Sequence, residues 1–99
     1  MYVRLVHPRP QPGQAEEYAR RWQAILAPRA RAIPGFRAAY FVGDPAANTV
    51  QAIFIWDDQP GEALDQAMDD FRYKCRDITT GPARREDFEV LAEASRDAD

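Results

Sequence analysis

The stretch NTVQAIFIWD, from Asn48 to Asp57, decides how the rest of the chain is interpreted. Its centre is rich in β-branched and aromatic residues, which suit a pleated surface. Read with a period of two, it has one face of Val50, Ala52, Phe54 and Trp56 and another of Gln51, Ile53, Ile55 and Asp57. Because both faces are mostly apolar, the stretch predicts a central strand that is covered on both sides.

The segments around this strand predict a regular alternation of strands and helices. Three further runs alternate as strands do, and they extend from Tyr2 to His7, from Phe36 to Val42 and from Asp87 to Glu93. Two runs repeat apolar residues at three- and four-residue steps, as an amphipathic helix does, from Ala15 to Leu26 and from Gly61 to Ile78. The predicted order is therefore β-α-β-β-α-β.

Prolines and acidic residues predict where these helices begin and end. Pro28 is expected to end or kink the first helix, because proline lacks the N–H that a helix interior needs. Asp57 or Asp58 is expected to cap the second helix. The whole pattern fits one domain over residues 1–94, which leaves a disordered polar tail over residues 95–99.

This order predicts an α+β, ferredoxin-like fold in which two helices cover one face of a four-stranded antiparallel sheet. Alternation assigns to the helix-covered face Val3, Leu5, His7, Phe36, Ala38, Tyr40, Val42, Ala52, Phe54, Trp56, Phe88 and Val90. The other face then carries Tyr2, Arg4, Val6, Phe41, Ile53, Ile55 and Leu91 among charged residues. So much uncovered apolar surface predicts a homodimer through this face, with Arg4 and Arg37 pairing with Asp87 or Glu89 of a second copy.

Composition argues against several classes of partner. The chain has 99 residues and a formal net charge of −3, and its basic residues alternate with acids. This pattern argues against a nucleic-acid or anionic membrane surface as the main partner. No apolar run approaches the roughly 18 residues that span a bilayer. With Cys75 as the single cysteine and no apparent secretion signal, a cytoplasmic location is expected.

The candidate site residues lie on the face that is predicted to meet the helices. His7 is the default acid–base group, because its ordinary pKa lies near neutrality, and Tyr40 offers a phenolic proton. Substrate contacts are expected from Trp56, Phe54, Trp22, Phe71 and Met68. A purely structural interpretation is also open for each residue. His7 would then be a strand-end histidine, and the others would belong to a packed core. Cys75 lies on a buried helical stripe and is interpreted as a packing residue.

No metal site is expected. Asp57, Asp58, Asp65, Asp69 and Asp70 are close in sequence, but their spacing lacks the glycine and the terminal glutamate of a calcium-binding loop. Helix capping and a solvated helix face explain them. No phosphate-binding glycine loop or zinc-binding pattern is present, so no cofactor is expected.

The element order and three short motifs resemble the antibiotic biosynthesis monooxygenase family of the dimeric α+β barrel superfamily. The motifs are Pro34-Gly35-Phe36 at the start of strand two, Ile55-Trp56 at the end of strand three, and Pro60 to Leu64 at the start of the second helix. The resemblance implies two ferredoxin-like protomers whose sheets form a barrel at the dimer interface. It also implies one pocket per protomer, between the sheet and its own helices.

Members of that family differ in activity, and the resemblance carries over only in part. Some are cofactor-independent oxygenases of polycyclic phenols, and others degrade haem. Haem-degrading members use an asparagine on strand one, a tryptophan on strand three and a histidine late in the second helix. Here Trp56 matches the second position, but His7 replaces the first and the second helix has no histidine. Haem is therefore not expected.

Two interpretations of function remain open at the level of sequence. The first is a cofactor-independent monooxygenase-like enzyme that acts on a small phenol or quinol in the pocket. The second is a non-catalytic homodimeric module that binds a small hydrophobic molecule or acts as a scaffold. A fold alone does not choose between them.

Overall fold

The computed structural model describes residues 1–96 and confirms the predicted α+β fold, a four-stranded antiparallel sheet with helices packed against it. The strands are β1 (Tyr2–His7), β2 (Phe36–Asp44), β3 (Thr49–Trp56) and β4 (Arg84–Glu89). They lie in the order β2-β3-β1-β4, so β3 and β1 are central. The helical segments are α1 (Ala15–Arg21), a π-helical turn (Trp22–Leu26), α2 (Ala27–Arg31) and α3 (Glu62–Lys74).

The first helix is longer than the sequence predicts, because it continues through Pro28. The segments α1, the π-helical turn and α2 follow one another without a break, and the N–H of Ala27 donates to the carbonyl of Trp22 five residues earlier. A proline normally clashes with the carbonyl four residues before it. The wider π turn relieves that contact, so Pro28 lies in the first turn of α2 and does not end the helix.

Three other predicted boundaries also change. Gly61, and neither Asp57 nor Asp58, is the N-cap of α3, and α3 ends at Lys74. β4 begins three residues before the predicted start at Asp87, because it pairs with β1 along the whole length from His7 to Tyr2. Of the predicted polar tail, residues 97–99 lie outside the described residues.

The structure confirms the predicted faces of β3 but inverts those of its neighbours. Val50, Ala52, Phe54 and Trp56 are buried beneath the helices, as alternation predicts. However, Phe54 lies opposite Arg4 on one side and opposite Ala39 on the other. The helix-covered face of β1 therefore carries Tyr2, Arg4 and Val6, and Val3, Leu5 and His7 lie on the open face.

The same inversion affects β2 and β4. A bulge between Phe36 and Ala38 shifts the register of β2, so Phe36 meets the helices as predicted whereas Tyr40 and Val42 face outward. On β4, Asp87 lies opposite Arg4 on the covered face, and Phe88 faces outward. Alternation separates the two faces of a strand, but it does not say which of them meets the helices.

The open face of the sheet retains a large apolar surface. The strand register places Val3, Leu5, Ala38, Tyr40, Val42, Ile53, Ile55 and Phe88 on it. Tyr40, Val42 and Phe88 are 56%, 43% and 49% exposed. Within residues 1–96, none of the helices is both long and apolar enough to cross a membrane.

Candidate functional site

A cavity of about 310 Å³ lies between the covered face of the sheet and the helices. Ligand-binding pockets in proteins usually measure about 300–1,000 Å³, so its size suits one small molecule. Every layer of the fold contributes to its apolar wall, which consists of Val6, Tyr18, Trp22, Leu26, Ala52, Phe54, Met68, Phe71 and Cys75. Side chains from the sheet and from the helices therefore form an aromatic pocket beside the core.

Aromatic contacts fix the shape of this wall. The ring of Tyr18 meets the edge of Phe71 with centroids 5.4 Å apart, and it stacks on Phe41 at 5.6 Å. Trp22 lies 5.9 Å from Phe54. Pairs at such distances favour tilted and edge-on orientations over full face-to-face stacking. The rings hold one another in place, so the wall is formed before any ligand binds.

The polar groups that the wall residues carry are hydrogen-bond donors rather than bases. Trp22 is 4% exposed, and its indole N–H has no hydrogen-bond partner within the described chain. Burial raises the pKa of the Tyr18 hydroxyl, and the nearby Cys75 thiol adds to the effect. Burial also raises the pKa of the Cys75 thiol, although Arg21 partly opposes it. At neutral pH, the phenol and the thiol are therefore protonated.

Two loops form the rim of the cavity and hold each other through backbone hydrogen bonds. The N–H of Gln11 donates to the carbonyl of Ile78 at 2.8 Å, and the N–H of Thr80 donates to the carbonyl of Arg9 at 2.8 Å. Pro10 and Thr79 form an isolated β-bridge between the same loops. The segment after β1 is thereby joined to the segment after α3 at the mouth of the cavity.

The rim carries more positive than negative charge. Arg9, Arg72, Arg85 and Asp69 line it, and Nη2 of Arg85 lies 2.8 Å from Oδ1 of Asp69. Arg9 and Arg72 have no ion-pair partner within residues 1–96. The mouth therefore offers two cations that no carboxylate of the described chain neutralises.

Four of the seven predicted site residues meet in this cavity. Trp22, Phe54, Met68 and Phe71 line it together, and their role in binding a substrate stays a prediction. Trp56 is buried outside it, where it packs against Phe36 and Phe54 and its indole N–H has no described partner. The expectation that Trp56 lines the pocket is wrong, because the ring lies near the end of the sheet that is away from the cavity.

The two predicted acid–base residues lie on the open face of the sheet. Nε2 of His7 is 2.8 Å from Oε1 of Glu86, and both side chains are partly exposed. Tyr40 is exposed on β2 and lies opposite Ile53. Their placement beside the pocket is therefore wrong, since β1 and β2 present their other faces to the helices. Any catalytic role of His7 and Tyr40 stays a prediction.

Sequence reasoning overlooked several residues that line the cavity. Tyr18 is not among the predicted site residues, because a spacing of four residues from Trp22 is the same for a packed core and for a cavity wall. Sequence reasoning assigned Val6 to the open face. Nothing in the sequence near Arg9 indicates that its loop pairs with residues some 70 positions later.

Within the described chain, no group of three or more histidine, cysteine, aspartate or glutamate side chains could hold a metal ion. Four of the five aspartates that cluster in the sequence form ion pairs with arginines, and Asp58 is the exception within the described chain. Asp70 binds Arg29 at 2.7 Å, and Asp69 binds Arg85.

Solved structures with the same fold cover nearly the whole chain. A candidate antibiotic biosynthesis monooxygenase from Nitrosomonas europaea has a TM-score of 0.70 at 12% sequence identity, and the match covers 93% of this chain and 100% of that one. A variant of SnoaB, a cofactor-independent oxygenase from Streptomyces nogalater, has a TM-score of 0.66 at 17% identity, with 93% and 95% covered. A dimeric ferredoxin-like protein from an uncultured marine organism has a TM-score of 0.69 at 12% identity, with 96% and 91% covered.

These likenesses concern the fold. The structural neighbours include several proteins described as antibiotic biosynthesis monooxygenases, which is the family that the sequence motifs resemble. No protein-family model and no curated protein matches the sequence. The similarity of these structures confirms the expected ferredoxin-like architecture.

Proposed function

We propose that the chain is a homodimeric, cofactor-independent monooxygenase-like enzyme that acts on a small phenol or quinol in the aromatic cavity. The observation that carries this proposal is the pocket itself, a cavity of about 310 Å³ with an aromatic wall that includes Trp22, whose buried indole N–H has no partner within the described chain. A flat phenol would fill the apolar volume, and its oxygen would accept that hydrogen bond. The monooxygenase-like fold of the structural neighbours supports the same reaction class.

The reaction needs little from the protein beyond the environment that the cavity offers. An electron-rich phenolate transfers an electron to dioxygen, and the two radicals combine to form a C–O bond. The resulting hydroperoxide loses water and leaves a quinone. For a phenol with a free para position, one oxygen atom of O₂ becomes the new carbonyl and the other leaves as water. The substrate supplies all four electrons, so no external reductant is needed.

The residues of the wall have defined parts in this scheme. Tyr18 keeps its proton because burial raises its pKa, so it donates a hydrogen bond to a phenolate or a peroxide oxygen. The N–H of Trp22 is a second donor. The rings of Phe54 and Phe71 exclude water and orient the flat substrate. The phenol transfers its proton to solvent water at the open rim, because the wall offers no base.

The dimer follows from the open face of the sheet. Val3, Leu5, Ile53 and Ile55 form an apolar surface on the central strands, and no element of the described chain covers it. A second copy that stacks its own open face here would bury this surface on both sides. In such a dimer, His7 and Tyr40 would lie at the interface, so a catalytic role for them would need a site formed by both copies.

Oxygen uptake with 1-naphthol tests the proposal. We expect one O₂ consumed for each 1,4-naphthoquinone formed, with one ¹⁸O atom per quinone from ¹⁸O₂. Ala52→Leu should abolish turnover, because Ala52 is buried at the cavity wall and a larger side chain would fill the space. Ala63→Leu is the matched control, because Ala63 is exposed on α3. Binding of 1-naphthol without oxygen uptake would favour the non-catalytic binding module instead.

A further inference from the structure

We propose that the ligand of this cavity is a planar aromatic monoanion whose carboxylate binds Arg9 and Arg72 at the rim. This inference rests on the proposed function, which assigns the aromatic cavity to the ring of the ligand. It adds that the ligand carries a carboxylate and that this carboxylate binds at the rim. It makes Arg9 and Arg72 specificity-determining residues.

The charge around the cavity differs from that of the whole chain. The protein has 16 acidic and 13 basic residues apart from its histidine, yet among residues 1–96 three arginines and only one carboxylate line the cavity. That carboxylate, Asp69, already binds Arg85 at 2.8 Å. A ligand that reaches the rim therefore meets an excess of positive charge.

Most other arginines of the described chain already have a partner. Arg29 binds Asp70 at 2.7 Å, Arg21 binds Asp77 at 2.8 Å, and Arg76 stacks on the ring of Tyr73 at 4.0 Å. Arg9 and Arg72 have no such partner within residues 1–96, although acids are abundant. Arginines at the mouth of a pocket are suited to a carboxylate, because the planar guanidinium can donate two parallel hydrogen bonds.

The backbone around Arg9 and Arg72 holds both residues at the rim. The carbonyl of Arg9 accepts hydrogen bonds from the N–H of Thr80 at 2.8 Å and from its hydroxyl at 3.2 Å. A Cβ atom at Gly81 would lie 3.9 Å from Nη1 of Arg9, so the guanidinium lies beside that loop. Arg72 directly follows Phe71, whose ring forms part of the wall. The two cations thus approach the mouth from a loop and from a helix.

The cavity has an apolar interior and a positively charged rim, and this arrangement suits an amphipathic ligand. Tyr18 and Trp22 offer hydrogen-bond donors in the wall, but no described cation lies in the interior, so a carboxylate is better stabilised by the arginines at the rim. At the rim, both arginines are exposed, so a carboxylate would keep part of its hydration while it pairs with them. The ring is expected inside and the charge outside.

Calorimetric titration with 2-naphthoate, methyl 2-naphthoate and 2-naphthol tests the inference. We expect 2-naphthoate to bind more tightly than its neutral ester, and only its affinity should fall as salt is added. Arg9→Gln and Arg72→Gln should each weaken 2-naphthoate about two- to fivefold and leave 2-naphthol unchanged. Arg96→Gln is the matched control, because it removes the same charge from an exposed residue that does not line the cavity.

The outcomes separate this inference from the proposed function. Equal binding of 2-naphthoate and its ester, or arginine variants that bind like the unaltered protein, would overturn the carboxylate site and leave the aromatic pocket standing. If none of the three compounds binds, both the pocket proposal and this inference fail.

Discussion

Arg4 binds both carboxylate oxygens of Asp87 across the β1–β4 pairing, from Nε to Oδ1 at 2.7 Å and from Nη2 to Oδ2 at 3.0 Å. Nη1 of the same guanidinium donates to Oδ1 of Asp65 on α3 at 2.6 Å. Arg4 is only 5% exposed, so one buried cation ties two strands to the helix above them. Its hydrogen bonds to the two aspartates raise its pKa against the effect of burial, so it stays charged.

The first prediction concerns the stability that this pairing provides. We expect Asp87→Asn to lower the free energy of unfolding by about 1–2 kcal/mol. The substitution removes the negative charge that accepts hydrogen bonds from the buried guanidinium of Arg4, and the loss is moderate because the side chain of Asp87 is partly exposed. Asp57→Asn breaks the exposed pair with Arg37 and should cost less than about 0.5 kcal/mol. Urea denaturation of both variants checks the difference. Equal losses would mean that burial of Arg4 adds nothing to the pair.

The same residue explains why part of the fold could not be predicted. The order of the elements and both faces of β3 follow from local patterns, and the structure confirms them. In β1, however, both faces are about equally apolar apart from Arg4, which is typical of a solvent-exposed position. Its burial depends on Asp65 and Asp87, which lie 61 and 83 residues away. The alternation of side chains along a strand carries no information about partners that are so far away in the sequence.

In the candidate site, too, some residues could be predicted from local sequence patterns and others could not. Trp22, Met68 and Phe71 could be predicted, because helical spacing identifies the side of a helix that meets a sheet. His7 and Tyr40 were misplaced, because their positions depended on the phase of β1 and on the bulge in β2. Arg9 was missed because a loop contact with Thr80 brings it to the cavity.

The second prediction concerns the open face of the sheet. We expect the protein to sediment at about twice its chain mass of 11.3 kDa. Ile53→Asp should produce monomers, because it would bury an unpaired charge at the centre of the interface. Ala63→Asp, on the exposed side of α3, is the control and should remain dimeric. A monomer at micromolar concentration in the unaltered protein would contradict the proposed dimer.

The third prediction concerns acid stability. Hydrogen bonds from Arg20 and Arg21 lower the pKa of Glu17, and a hydrogen bond from Arg21 lowers the pKa of Asp77. A carboxyl whose pKa is lowered by folding stabilises the native state above its unfolded pKa of about 4, and this contribution is lost as the pH falls through the folded pKa. We therefore expect Arg21→Gln to lower the melting temperature at neutral pH.

That difference should shrink steadily as the pH falls below about 4, because both carboxyls become protonated in either protein. Melting temperatures between neutral and strongly acidic pH, at low salt, measure it. Arg31→Gln is the control, since Arg31 has no ion-pair partner within the described chain. A difference that persists unchanged in acid would mean that Arg21 acts through packing alone.

The fourth prediction concerns Cys75, which is fully buried and has a raised pKa because of that burial. A large disulfide reagent should react with it at least about 100-fold more slowly in the native protein than in denaturant. Ala63→Cys in a Cys75→Ser background places a thiol on the exposed side of α3 and should react rapidly. Because Cys75 also lines the cavity, saturating 2-naphthoate should slow the native reaction further. Fast native labelling of Cys75 would contradict its buried position.

The last prediction compares the two tryptophans of the chain. Trp22 and Trp56 are 4% and 1% exposed, and each has an indole N–H without a hydrogen-bond partner within the described residues. Trp22→Phe and Trp56→Phe therefore remove similar buried groups, and we expect them to lower stability by similar amounts. The two positions differ because only Trp22 lines the cavity.

Ligand binding should separate them. Trp22→Phe should weaken 1-naphthol about three- to tenfold in calorimetric titrations, the factor that corresponds to one lost hydrogen bond, whereas Trp56→Phe should bind normally. Fluorescence gives an independent measurement, because each variant keeps one tryptophan. In Trp56→Phe, which keeps Trp22, 1-naphthol should still quench the fluorescence. In Trp22→Phe, which keeps Trp56, the quenching should be weaker. Equal affinities in the two variants would show that the indole N–H of Trp22 does not contact the ligand, and the cavity would then bind phenols through its apolar wall alone.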